Sequence, residues 1–249
     1  MNIFKGSNSD ISEDVQAHLL KVYLTLSLTV LTSILGVLIN YIVNIGGIIT
    51  ILISFVLIFC LKFDRHNIDN SNVTRRLGIL ASFGLFQGFS IGPLINQALT
   101  YSNGDFIVFI SLLCTLVVFI SFTLSAKYAR RRSYLYLGGF LGSALNMLAL
   151  LTLVSIFVPS LSFTVVRIYG GLLLFSGFVI YDTQVIIEQA HEGNRDFISH
   201  ALSLFLDFLN IFIRVLIIMM RKGQRGRDDR GGGSLLPRFR KNGGDAFDL

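Results

Sequence analysis

The chain has 249 residues, of which 53% are hydrophobic and 14% charged, against about 25% charged in an ordinary soluble domain. Together with a mean hydropathy of +0.68, this excludes a soluble enzyme or binding module, in which each element would carry a polar face. The net charge of +6 gathers after position 220, in Arg221, Lys222, Arg225, Arg227, Arg230, Arg238, Arg240 and Lys241, which fits a tail held against anionic lipid headgroups rather than a nucleic-acid interface.

Taken in chain order, residues 1–21 form a polar, mildly acidic segment without the pattern of a cleavable signal peptide, so the first span is expected to act as its own targeting signal. Seven apolar runs follow, at 22–43, 45–61, 77–99, 106–126, 134–157, 165–187 and 197–220. They are continuous rather than alternating, and they approach the ~20 residues a helix needs to cross a bilayer. Only helices and closed barrels satisfy their own backbone in lipid. The expected fold class is therefore all-α, a polytopic membrane bundle with six outer helices around a central or re-entrant seventh. The domain reading is a cytosolic segment at 1–21, the bundle at 22–220, and a basic disordered tail at 221–249. Cys60 and Cys114 fall inside apolar runs and suggest neither a disulfide framework nor a metal site.

Lys and Arg alternate between loops. Lys5 and Lys21 precede the first run, Lys62, Arg65, Arg75 and Arg76 lie around the second loop, and Lys127, Arg130, Arg131 and Arg132 lie in the fourth, whereas the first and third loops hold none. Basic short loops stay cytosolic, so the N-terminus and even-numbered loops are assigned to the cytosol. Asn72-Val73-Thr74 is a glycosylation sequon in one of those loops and should stay unmodified. The seventh run carries His200, Asp207, Asn210 and Arg214, so it is expected either to be enclosed by protein or to re-enter.

Gly84, Gly88 and Gly92 repeat every four residues, followed by Pro93. Such a spacing makes a flat stripe on which another helix can pack closely in lipid, and Pro93 predicts a kink. Gly138, Gly139 and Gly142 are expected to play a similar part in the fifth run. Asn146 is expected to hydrogen-bond a neighbouring helix.

An ionisable group inside a span costs ~2.5–3.5 kcal/mol on insertion scales and so needs a partner or a task. Asp182 and Asp207 lie in the sixth and seventh runs, which are antiparallel neighbours across a short loop. Counted from the run ends at 1.5 Å per residue, they lie ~8 Å and ~15 Å deep. Two carboxylates in low dielectric repel and titrate as one coupled pair. A proton, an arginine or a hard cation such as calcium could relieve them, so protons and calcium would compete for one site. His200 and Arg214 share the helix face of Asp207 at seven-residue spacing. Arg75 or Arg76, on the same cytosolic side, could supply a basic partner.

Several segments resemble the Bax-inhibitor family (transmembrane Bax inhibitor motif proteins), most of all its Bax inhibitor branch. They are Arg76-Leu77-Gly78-Ile79-Leu80-Ala81, Gly92-Pro93, Phe122-Thr123-Leu124-Ser125-Ala126 with Tyr128-Ala129-Arg130-Arg131-Arg132-Ser133-Tyr134, Gly138-Gly139, Tyr181-Asp182-Thr183-Gln184 and Leu204-Phe205-Leu206-Asp207-Phe208-Leu209. The resemblance covers roughly residues 15–220. It implies six helices around a central seventh, residence in the endoplasmic reticulum membrane, suppression of stress-induced cell death, and a pH-sensitive calcium leak whose paired aspartates match Asp182 and Asp207. It implies no cofactor beyond calcium bound or conducted. The implied partners are lipid, calcium, protons and death-regulating membrane proteins. Family tails are lysine-rich, and this arginine- and glycine-rich tail departs from them.

Two other classes compete. Intramembrane aspartyl proteases also pair a Tyr-Asp with a second aspartate, but they need Gly-x-Gly-Asp where Phe205-Leu206 precede Asp207, and a Pro-Ala-Leu motif absent here. No enzyme is expected. A non-conducting scaffold, in which both aspartates only brace helices, is the alternative.

Overall fold

The computed structural model describes residues 13–64, 72–128, 136–158 and 163–231, with backbone alone for 224–231. All regular structure among them is helical. The helices are α1 (Glu13–Val43), α2 (Ile48–Phe63), α3 (Val73–Leu99), α4 (Gly104–Tyr128), α5 (Leu137–Phe157), α6 (Gly171–His191) and α7 (Phe197–Gly231), and a π-helical turn, Val166–Gly170, leads into α6. All but α2 are long and apolar enough to cross a bilayer.

Two ends move relative to the apolar runs. Helix α1 begins at Glu13, because Val15, Leu19, Val22 and Leu26 continue one buried stripe at helical spacing through residues whose polarity interrupts the hydropathy signal. Helix α7 continues past Met220 to Gly231. The rest of the basic tail, and Lys5, Arg65 and Arg130–Arg132 among the orienting residues, lie outside the described residues.

Helices α1, α3, α4 and α6 pack on α7, whereas α2 packs chiefly on α3 and α5 chiefly on α6. Burial follows this order. Helix α7 buries Ile198, Leu204, Phe205, Ile211 and Leu216 almost completely, and α5 buries only Leu141. Between the two forms left open for the last segment, the structure has the central one: α7 is an unbroken rod of 35 residues, without the break that a re-entrant segment needs.

The most extensive helix contact is between α1 and α3. A Cβ on Gly84 would strike Thr29 and Thr32, one on Gly88 would strike the Ser33 carbonyl, and one on Gly92 would strike the Asn40 side chain. The matching half of this seam escaped the sequence analysis. Thr25, Thr29, Ser33 and Asn40 of α1 are all buried, and Gly36 lies between them against Leu85 and Gly88. The hydroxyls of Thr25 and Thr29 donate to carbonyls one turn back (2.8 Å each), so these side chains bring no unpaired polar group to the contact. Pro93 sits inside α3, which runs on to Leu99.

The fifth-helix glycines divide. Gly138 lies against the Tyr181 ring, while Gly139 and Gly142 meet nothing within 4 Å and so hold no helix close. Asn146 is exposed on the outer side of α5, with no hydrogen bond to a described residue, because α5 has α6 on one side only. The expectation for these three residues is corrected on that ground.

Candidate functional site

Helix α6 runs to His191 before the short link to Phe197. Four residues more than the apolar run suggested now lie between Asp182 and the loop. At 1.5 Å per residue, Asp182 sits about 14 Å and Asp207 about 15 Å from their helix ends. The apparent offset between the two aspartates disappears. Their carboxyls lie close enough to interact with each other, Asp207 only 5% exposed and Asp182 half-buried. Asp207 Oδ2 is buried without a donor among the described residues. A carboxylate offers only acceptors, so a hydrogen bond between the two would need a proton held between them. Two residues along α6 from Asp182, Gln184 Nε2 donates to the Ala126 carbonyl at the end of α4 (2.7 Å).

A second polar cluster closes the end of the bundle where α6 turns into α7. Arg76 Nη2 donates to both oxygens of Asp196 (2.9 and 2.8 Å), and the two side chains are 3% and 2% exposed. Asp196 also caps α7, accepting from the Ser199 amide (3.3 Å) and hydroxyl (2.7 Å), the N-cap arrangement. Burial pushes the Asp196 carboxyl up, but the Arg76 and Ser199 hydrogen bonds and the Arg76 charge outweigh it and hold the group below its usual range. Beside it, Gln189 Oε1 accepts from Asn194 Nδ2 (3.2 Å) and from His200 Nε2 (2.9 Å). That leaves His200 Nδ1 as the acceptor for His18 Nε2–H (2.9 Å), a one-way chain tying α1 to α7.

A family model described as "Inhibitor of apoptosis-promoting Bax1" matches residues 15–225, a span that takes in both clusters. The chain belongs to the Bax-inhibitor family. Proteins named Bax inhibitor 1 are similar to it across most of their length. The one from Oryza sativa subsp. japonica is 39% identical over 221 residues, covering 88% of this chain and 86% of the relative. The one from Homo sapiens is 36% identical over 213 residues (85% and 88%), and the one from Drosophila melanogaster 37% identical over 217 (87% and 87%). This Bax-inhibitor family member is thus a multi-pass membrane protein.

Within this family member the residues expected near the aspartates separate. The stripe His200, Asp207, Arg214 keeps one face of α7, but each residue has its own surroundings. His200 belongs to the loop-end cluster. Arg214 Nη1 donates to Asn210 O and Oδ1 (2.8 and 3.0 Å), and its guanidinium carbon lies 4.4 Å from the Phe175 ring centre. Gly171 packs directly against that guanidinium. Arg76 partners Asp196 and not the aspartate pair, and Arg75 is exposed beside Asp64 (3.6 Å). Asp196 and His18 escaped the sequence analysis. The N-cap spacing Asp196-x-x-Ser199 before an apolar helix was the available signal for the first. His18 had none, since only the tertiary fold brings it to His200.

Proposed function

We propose that this protein resides in the endoplasmic reticulum membrane and suppresses stress-induced cell death as a proton-regulated, calcium-permeable leak working through Asp182 and Asp207. The observation that carries this is the meeting of two carboxyls inside the bundle with no basic side chain on them among the described residues. Such a pair holds a proton or a cation in exchange, because both groups charged and bare would repel in low dielectric. Calcium is the cargo. It takes six to eight oxygens, two carboxylates supply at most four, and water would complete the shell, which suits passage better than tight retention. No group of three or more His, Cys, Asp or Glu side chains placed to hold a metal occurs among the described residues. The name Bax inhibitor 1 borne by the relatives supports the death-suppressing part. The proposed action is transport without catalysis, with lipid, protons, calcium and death-regulating membrane proteins as partners.

The test is calcium flux into liposomes across a pH series, for the native chain, Asp182→Asn and Asp207→Asn. Either substitution should abolish most of the pH dependence while helicity is retained. Flux unchanged in both folded variants would instead favour a non-conducting scaffold. That alternative draws on one observation: Gln184, two residues from Asp182, ties α6 to α4 through the Ala126 carbonyl.

A further inference from the structure

Two arginines meet in the half of the bundle away from the α6–α7 loop. Arg167 stands in the π-helical turn that leads into α6, and Arg214 lies on α7. The neighbours of Arg167 show which way it faces. Val165, Val166 and Tyr169 are exposed, whereas Ile168 and Gly171 are buried, so Arg167 shares the inner face with them. Residues four apart lie on one side of a helix, and a wider π-turn keeps them there. Gly171 carries the Arg214 guanidinium directly against it, and the π-turn itself packs on α7. Arg167 and Arg214 are thus neighbours across the seam between the sixth and seventh helices.

Neither has a counter-charge among the described residues. Arg214 spends Nη1 on the neutral oxygens of Asn210, and its Nε is buried without an acceptor, as is the Nε of Arg167. Residues 158–166, which precede Arg167, contain no Asp or Glu. Asp207 is seven residues from Arg214, ~10 Å along α7, with no hydrogen bond between them. Asp105 opens α4 where Gly223 meets Ile107, ~14 Å further along α7 from Arg214, and Arg221 and Lys222 stand beside it there.

We propose that Arg167 and Arg214 together bind one phosphate group. Two like charges in a low dielectric repel, and a buried arginine without an anion is costly. The Nη donors that make no hydrogen bond to a described residue, both on Arg167 and Nη2 on Arg214, present the fork that matches phosphate oxygens. A phosphate has enough acceptors to bridge both forks, which a single halide does not. Position fits as well: Arg167 precedes the end of α6 at His191 by ~35 Å, slightly more than the ~30 Å hydrocarbon core, which places it at headgroup level. The same chemistry is offered by the phosphodiester of a phospholipid and by inorganic phosphate.

The experiment uses the delipidated, detergent-solubilised full chain in two arms. Native mass spectrometry compares phosphatidylglycerol with diacylglycerol of matched chains, and calorimetric titration adds inorganic phosphate against a chloride control. The native chain should bind one phosphate-bearing molecule in at least one arm. Retention of the phospholipid alone makes this a headgroup site, and uptake of inorganic phosphate makes it a site for a soluble anion. Arg167→Gln and Arg214→Lys should each weaken that binding by about tenfold, the loss expected for one charge-assisted hydrogen bond. Arg214→Lys keeps the charge and loses the fork, so it also guards against a variant that fails to fold. Arg75→Gln, an exposed arginine at the other end, should bind as the native chain does. No phosphate-dependent binding by the native chain in either arm overturns the site, as does undiminished binding in folded Arg167→Gln and Arg214→Lys.

Discussion

At the scale of single residues, the ionisable groups of this bundle divide by whether they have a counter-charge. Arg76 and Asp196 compensate each other out of water, and removing one partner leaves a buried charge, which costs about 3–5 kcal/mol. Arg76→Met should therefore lower the thermal midpoint in detergent markedly, and Arg76→Met with Asp196→Asn should recover part of the loss. If the double variant is no more stable than the single one, the pair is not the unit of stability. Asp196 also sets a pH limit. Its folded carboxyl is held below the usual range, so its contribution is complete above the unfolded-state value of about 4 and is lost as pH falls through the lower folded value. The native chain should lose thermal stability below about pH 4 more steeply than Asp196→Asn, as read by the midpoint at pH 3 to 6. Parallel curves would assign the acid limb to other carboxyls.

At the scale of elements, the α1–α3 seam depends on glycine at positions where the other helix's backbone is the neighbour. Backbone cannot rotate away as a side chain can. Gly88→Val should push the helices apart and abolish a monodisperse peak in gel filtration, through lost contact along the whole stripe. Gly139→Ala faces open space and should be neutral or stabilising by up to about 1 kcal/mol from helix propensity alone. Equal tolerance of the two changes would show that the seam is not a close contact. The glycine spacing was readable on α3 because glycine is conspicuous there. Its partner on α1 was not, because Thr25, Thr29 and Ser33 are small and polar and become a packing face only when another helix covers them.

At the scale of the whole molecule, the orientation expected from the basic residues between runs can be tested at one site. Asn72 stands at the start of α3, at the end of the bundle marked by Arg76 and the α6–α7 loop. Expression in microsomes should leave Asn72 without glycan, measured as no mobility shift on deglycosylation, and a glycosylated Asn72 would reverse the assigned orientation. The number, order and character of the helices were legible, since lipid demands long apolar helices and tolerates little else. The two aspartates were legible too, as charges where charge is expensive.

The sequence by itself determined that this chain lives in a bilayer, which segments form apolar helices, and that Asp182 and Asp207 need an explanation. Those are properties of composition along a line, and hydrocarbon enforces them locally. Only the tertiary structure decided that the aspartates lie level, that Arg76 turns to Asp196 instead, and that His18 meets His200 across the chain. Each of these depends on how far a helix continues past its apolar run and which neighbour it rests against. Packing between distant segments settles both, and no single segment encodes either.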